Sequence, residues 1–242
     1  SSVYSLGQVG GEQTFLASLV RNEAEDMKLR RSAAHAIGQS RDRGAINTLQ
    51  ELYRSVKEVE LRRSVISAAG NSVDEQPAFT FLLSVAKQDA DWETRRVAVR
   101  QLGHFKREDA ADELMKFART DTNPELRKTA IRALGERGEA AVDNLVKLYD
   151  SETLPEVKRA VLQSLSEIKS TRVEDKLFEV ARGNDVVEVR RQAIRLLGER
   201  AGKRSFDFLS ATAQSTDGNV EVQVQAVRSI GERHAQESVP LL

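Results

Sequence analysis

Apolar residues recur along this chain in a phrase about ten residues long, and the phrase itself recurs. "LRRSAAHAIG" (29–38) returns as "LRRSVISAAG" (61–70), "TRRVAVRQLG" (94–103), "LRKTAIRALG" (126–135), "VKRAVLQSLS" (157–166), "VRRQAIRLLG" (189–198) and "VQVQAVRSIG" (222–231). A truncated copy, "VYSLG", ends at Gly7. The last residue of each phrase, here called its anchor, falls at 7, 38, 70, 103, 135, 166, 198 and 231, always 31 to 33 apart. Nine before the anchor stand Leu29, Leu61, Thr94, Leu126, Val157, Val189 and Val222. Five before it stand Ala33, Val65, Ala98, Ala130, Val161, Ala193 and Ala226. One before it stand Ile37, Ala69, Leu102, Leu134, Leu165, Leu197 and Ile230. Apolar positions four apart lie on one face of an α-helix, so each phrase predicts a helix with a single buried stripe.

The ends of these helices are also written in the sequence. Asp26, Asp91, Asn123 and Asn219 occupy the N-cap position, where a short polar side chain accepts from an otherwise orphaned backbone N–H. Pro124 and Pro155 stand just inside, where a missing N–H costs nothing. The anchor glycine predicts a C-terminal stop. Between phrases runs a second apolar stripe, in "AINTLQELYRSV" (45–56), "AFTFLLSVAKQ" (78–88), "AADELMKFART" (110–120), "AVDNLVKLYD" (141–150), "VEDKLFEVARG" (173–183) and "SFDFLSATAQ" (205–214), with "QTFLASLV" (13–20) opening the series. The unit is therefore a helical hairpin. One hairpin cannot bury both its faces, so successive hairpins must stack on one another.

This pattern predicts an all-α fold: a right-handed α-solenoid of about seven stacked hairpins, period about 32, filling residues 1–242 as one domain. The chain opens within a second helix at 1–7 and stops within a first helix at 236–242, where Val239, Leu241 and Leu242 match the buried stripe. These edges predict a piece of a longer solenoid, or end-to-end self-association through uncapped termini.

"VRRQAIRLLG", with its preceding Asp or Asn turn and its period, resembles the HEAT-repeat family, in particular the short repeats also found in phycobilisome lyases. The resemblance covers the whole chain and implies a fold far more sharply than a task. It implies that the first base of each doublet (Arg30, Arg62, Arg95, Arg127, Lys158 and Arg190, with Gln223 in the last copy) reaches an acid or amide in the turn of an adjacent repeat. Asp26, Asp89, Asp121, Asp185 and Asp217 are the expected partners. It also implies that the second helices line a concave surface.

That surface is where binding is expected. Seven before the anchor stand Arg31, Arg63, Arg96, Lys128, Arg159 and Arg191; three before it stand Arg100, Arg132, Arg195 and Arg228, alongside His35, Ser67 and Gln163. Both columns point away from the core, and together they predict a basic groove for a protein or acidic peptide. Glutamates line the same face one turn away, as at Glu60, Glu93, Glu125, Glu188 and Glu199. Each can form an i,i+3 or i,i+4 pair worth about 0.2–0.5 kcal/mol, so a self-paired, solvated face is the competing expectation.

Composition narrows the chemistry. The 242 residues carry 37 basic and 37 acidic side chains, a balance that argues against nucleic acid and anionic membranes as partners. No apolar run approaches the ~18–20 residues of a membrane span. Cysteine is absent, which excludes disulfides and thiolate ligands. His35, His104 and His234 occupy three different columns, so repeat symmetry cannot converge them on a metal. HEAT-fold iron hydroxylases bind through His-Glu pairs, and no such dipeptide occurs here. Ser64 and Ser67 have no histidine in register, and the singly spaced glycines make no phosphate loop. No catalytic residue, metal or cofactor is therefore expected, and the chain reads as a non-enzymatic binding scaffold.

Trp92 is the exception that keeps an enzyme in view. Its column otherwise holds Met27, Val59, Pro124, Pro155, Val187 and Val220, which predicts packing over the inter-helix turn. Beside Arg96 and Arg100 it could instead form an aromatic platform. The resemblance then implies either a HEAT-like enzyme acting on nucleic acid, as the alkylpurine glycosylases do, or a lyase-like handler of a bilin chromophore.

Overall fold

Helices begin where the capping column predicts. Asp26 accepts from the Lys28 N–H at 2.8 Å, Asp91 from Thr94 at 2.9 Å, Asn123 from Glu125 at 2.9 Å and Asn219 from Glu221 at 2.9 Å. Such a side chain contributes about 1 kcal/mol to its helix. The computed structural model describes residues 2–200, 202–215 and 218–238, with side chains over 11–200, 202–215 and 218–233. Its helices are α1 (Ser2–Arg21), α2 (Met27–Gln39), α3 (Ala45–Ser55), α4 (Val59–Ala69), α5 (Glu75–Gln88), α6 (Trp92–Leu102) and α7 (Glu108–Thr120). They continue as α8 (Pro124–Gly135), α9 (Val142–Ser151), α10 (Pro155–Ser166), α11 (Thr171–Arg182), α12 (Val187–Gly198), α13 (Lys203–Gln214) and α14 (Val220–Ser238). A 3₁₀ turn, Gly138–Ala141, leads into α9. No strand occurs among the described residues. The helices pair into successive hairpins, the arrangement of an all-α solenoid.

The chain forms two compact units, Ser1–Ala133 and Leu134–Leu242. In the first, Leu61, Val65, Ala98, Leu102, Leu126 and Ala130 are fully buried along the stripe of the second helices, against Leu49, Leu52, Leu82 and Leu114 of the first helices. In the second, Val157, Val161, Leu165, Val189, Ala193 and Leu197 bury with Leu145, Leu177 and Leu209. Each Leu, Ile or Val so buried contributes about 1.5–3 kcal/mol, which is why a core with few aromatics suffices. Two stripe positions depart: Leu29 is 44% exposed, with its neighbour Arg30 buried instead, and Ile230 is only half-buried.

The anchor glycines are not stops of the left-handed kind. Gly70 and Gly103 have φ of −65° and −62°, open to any residue, and α2 and α14 run past Gly38 and Gly231. α1 likewise runs past Gly7; side chains there, and Val239, Leu241 and Leu242, lie outside the described residues. Glycine is required at the anchors by close approach. A Cβ on Gly38 would lie 2.9 Å from the Ala68 Cα, one on Gly103 2.8 Å from the Ala133 Cβ, and one on Gly198 2.6 Å from the Ser229 Cβ. Gly135 meets Ser164 in the same way. Each glycine is a slot that receives the residue two before the next anchor, letting neighbouring second helices pack backbone to backbone. Positive φ occurs among the described residues only at Gly138 (68°) and Gly202 (127°), both in inter-hairpin loops.

In four of the six basic copies the first base of the doublet makes a backbone contact outside the ladder implied by the resemblance. Arg30 Nε donates to the Val20 carbonyl at 2.9 Å, Arg127 Nε to Ala118 at 2.9 Å, Arg190 Nε to Ala181 at 3.2 Å and Arg95 Nη1 to Asp89 at 3.2 Å. Gln223 reaches the Ser215 carbonyl, so the column survives the change of residue. All these acceptors close the first helix of the same hairpin, where the helix dipole favours a cation. Forward reach to a turn acid occurs as well, from Arg30 to Glu58 at 2.6 Å and from Lys158 to Asp185 at 2.5 Å. Of the expected acids, Asp26 caps its own helix, Asp121 holds the Asn123 N–H, and Asp217 lies outside the described residues. Asp185 takes its expected base, Lys158, and also accepts the Tyr149 hydroxyl, while Asp89 accepts that of Tyr53, each tyrosine on the first helix of the preceding hairpin.

Candidate functional site

The second helices present their polar columns on one face, and in the first unit that face holds a cleft. About 710 Å³ in volume, it lies between α2, α4 and α6. Lys28, Arg31, His35, Arg63 and Arg100 line it, with the hydroxyls of Ser32, Ser64 and Ser67 and a single acid, Glu60. The three helices bring these side chains together because the columns seven, six and three before the anchor repeat in register. In the second unit a smaller cleft of about 340 Å³ lies between α10, α12 and α14, lined by Arg159, Arg191 and Arg195 with Glu188, Gln192 and Gln225.

The ten basic residues singled out in sequence divide sharply by partner. Arg63 donates from Nη2 and Nε to Asp91 at 2.8 and 3.1 Å, joining α4 to α6. Burial works to raise the Asp91 pKa, but hydrogen bonds from Thr94 and Arg63 outweigh it and hold the carboxyl below its usual range. Arg96 pairs with Glu93 at 2.6 Å, Lys128 with Glu125 at 2.8 Å and Arg191 with Glu221 at 3.1 Å. Arg195 pairs with Glu199 and donates to Gln163 at 2.9 Å. Arg31 donates to the Ser64 hydroxyl at 3.0 Å, joining α2 to α4. Arg100, Arg132, Arg159 and Arg228 are exposed and have no hydrogen bond or ion pair to another described residue. The self-pairing expected from the glutamates thus occurs within the helix at Arg96 and Lys128 and between helices at Arg191, whereas Arg31 and Arg63 reach Ser64 and Asp91 instead. Free charge concentrates three before the anchor, at Arg100, Arg132 and Arg228.

Trp92 is not packed away over its turn. It remains 38% exposed, with the Arg96 guanidinium 5.9 Å from its ring centroid, and it stands outside the lining of the cleft. The residues that sequence reasoning passed over are Lys28, Ser32 and Ser64, which line the cleft without belonging to either basic column. His35 lies against Gln39, 2.9 Å between Nε2 atoms. Among the described residues no group of three or more His, Asp or Glu side chains could hold a metal ion, and no helix is long and apolar enough to cross a membrane.

A family model for HEAT repeats matches residues 79–166 and 151–221. No curated protein matches the chain. Among solved structures the chain is similar to one from the complex of CpcE and CpcF of phycocyanin lyase from Nostoc sp. PCC7120. The identity is 20% over 88% of this chain and 85% of that one, with a TM-score of 0.45. It is also similar to human deoxyhypusine hydroxylase in complex with glycerol, at 15% identity over 96% of this chain and 99% of that one, with a TM-score of 0.42. The hairpin period, the glycine slots and a family match over more than half of the sequence agree: the chain belongs to the HEAT-repeat family.

Proposed function

We propose that this chain is a non-catalytic scaffold that binds an acidic protein segment or peptide along the face of its second helices, centred on the cleft between α2, α4 and α6. The observation that carries this reading is the imbalance of charge in that cleft. Lys28, Arg31 and Arg100 face a single lining acid, Glu60, while Arg63 is held by Asp91, and Arg100 has no partner among the described residues. A guanidinium with open donors recognises carboxylates in a forked geometry, and the neighbouring serine hydroxyls add neutral donors. Glu93 on α6 and Glu125 on α8 are engaged with Arg96 and Lys128, which leaves a narrow basic strip rather than a broad basic field. A narrow strip suits an extended acidic peptide better than a duplex, in keeping with the balanced net charge.

The test is fluorescence anisotropy of a labelled oligoglutamate peptide against the whole chain, with oligolysine and single-stranded DNA as controls. The peptide should bind, weaken as salt rises, and lose at least tenfold in affinity to Arg31→Glu/Arg100→Glu with helicity unchanged. Tenfold corresponds to about 1.4 kcal/mol, modest for reversing two charges in one site. Equal binding of oligoglutamate and oligolysine, or an unchanged affinity in the double variant, overturns the reading.

A further inference from the structure

Leu52, Val85, Phe117, Leu148 and Val180 share one buried column of the first helices, and immediately after them stand Tyr53, Ala86, Ala118, Tyr149 and Ala181. The two tyrosines make the same set of contacts, one in each unit. Each ring lies against the next first helix and the first base of its own hairpin's doublet, and its hydroxyl donates to an acid in the turn that follows. The Tyr53 ring stands 5.4 Å from that of Phe81 on α5 and 5.9 Å from the Arg62 guanidinium, with its hydroxyl on Asp89. The Tyr149 ring stands 4.8 Å from Lys158 Nζ and 5.1 Å from Lys176 Nζ, with its hydroxyl on Asp185 at 2.6 Å.

Where the column holds Ala86, the groove is a cleft of about 440 Å³ between α5 and α7. Its lining repeats the surroundings of Tyr53 in register: Ala86 for Tyr53 itself, Arg95 for Arg62, Glu113 for Phe81 and Asp121 for Asp89, each 32 or 33 residues on. The acid is set for the same bond. Asp89 accepts the Asp91 N–H at Oδ1, 2.8 Å away, and the Tyr53 hydroxyl at Oδ2. Asp121 accepts the Asn123 N–H at Oδ1, also 2.8 Å away, and its Oδ2 has no partner among the described residues. The wall is kept with its charges reversed. Beside Tyr149, Lys176 is held by Asp150 and Glu179, each at 2.7 Å. In the cleft Glu113 takes the place of Lys176 and is held by Lys87 and Lys116, each at 2.8 Å. Both lysines are thereby drawn to the wall, and neither pairs with Asp121.

We propose that this cleft receives a tyrosine side chain of a partner protein, its ring against the Arg95 guanidinium and its hydroxyl donating to Asp121 Oδ2. The chain makes this fit twice with its own residues, at Tyr53 and Tyr149. A phenol supplies both complements the cleft calls for: a π-face for the guanidinium and a donor for the open carboxylate oxygen. Phenylalanine supplies only the first, and a phosphorylated tyrosine would set its charge against Asp121. The cleft lies among first helices, so a partner can use it whether or not an acidic segment binds along the second helices.

The test is nitrogen–proton correlation NMR of the whole chain, titrated with the capped tripeptide Gly-Tyr-Gly and, for comparison, with capped Gly-Phe-Gly and with p-cresol. The tyrosine peptide should shift the Thr122 and Asn123 amides with a millimolar Kd, at least about fivefold tighter than the phenylalanine peptide. Asp121→Asn keeps the acceptor for the Asn123 N–H but puts an amide nitrogen at Oδ2, so the two peptides should then bind within about twofold of each other. Ala86→Tyr fills the cleft from within and should abolish the shifts with helicity unchanged; if that variant does not fold, Asp121→Asn decides alone. No shift with any probe, equal affinity for the two peptides, or binding that survives Ala86→Tyr overturns the proposal. Shifts with p-cresol but not with the tyrosine peptide overturn it too, since the occupant is then a free phenol and not a partner's side chain.

Discussion

Replacing Gly38 by alanine drives a methyl group into the backbone of the next repeat. The new Cβ would lie 2.9 Å from the Ala68 Cα and nearer still to its carbonyl, where carbon atoms ordinarily rest about 3.5–4.0 Å apart. Backbone cannot rotate aside, so α2 and α4 must separate. Overpacking of this kind costs about 1–3 kcal/mol. The gain in helix propensity on replacing glycine returns at most about 1 kcal/mol. A net loss of about 1–2 kcal/mol is expected, or roughly 2–8 °C in Tm for a chain of this size. Gly231→Ala is the matched control, with the same substitution in the same column but open space around it. In dilute solution it should stabilise by about 0.5–1 kcal/mol. Gly70→Ala should fall between them, because the atoms it meets belong to the Gln101 side chain, which can swing away. Urea unfolding followed by far-UV circular dichroism orders the three. Equal midpoints for Gly38→Ala and Gly231→Ala would refute the slot as the reason for glycine.

The two bases of the doublet should separate in a melt. Arg127→Ala strands the Ala118 carbonyl and should cost about 1–2 kcal/mol, whereas Lys128→Ala, which loses only a surface pair with Glu125, should stay within about 0.5 kcal/mol; identical Tm values would remove the distinction. Acid should act through Asp185, whose burial works to raise its pKa but whose bonds from Lys158 and Tyr149 leave it below the ordinary aspartate range. A carboxyl depressed by folding stabilises above its unfolded pKa and loses that contribution as pH falls through the folded value. Asp185→Asn should therefore lower stability near neutrality and flatten the acid limb below about pH 4; an unchanged slope of denaturation midpoint against pH would count against it.

Helix position was legible because it depends on local information. Four cap residues and a stripe repeated at constant spacing define where a helix begins and which side it buries. The anchor glycine was legible as a glycine and misread as a stop, because the sign of φ and the identity of the atom opposite are both tertiary facts. A signal did exist in the column two before the anchor, where Ala68, Ala133, Ser164 and Ser229 are small although they sit in a buried helix face. The basic doublet was legible as two roles, but the carbonyls that receive the inner base are invisible in sequence, since every residue has one. The cleft was half legible. Its arginines stand in columns that point outward, yet which of them stay free depends on rotamers and on neighbours about thirty residues away, as Arg63 with Asp91 illustrates.

The placement of the inner base has a bearing on how such a chain can grow. Because Arg127 or Arg190 fastens the two helices of its own hairpin, the copied segment carries its own clasp. Between hairpins the closest backbone approach asks for a glycine on one side and, in most copies, a small residue on the other, and both travel within the same copied stretch. An unequal crossover that inserts one period therefore delivers a part already able to engage the units before and after it. A clasp that depended on the neighbouring unit would instead require two matched changes for every insertion. The repeat is heritable as a module because its fastening is internal.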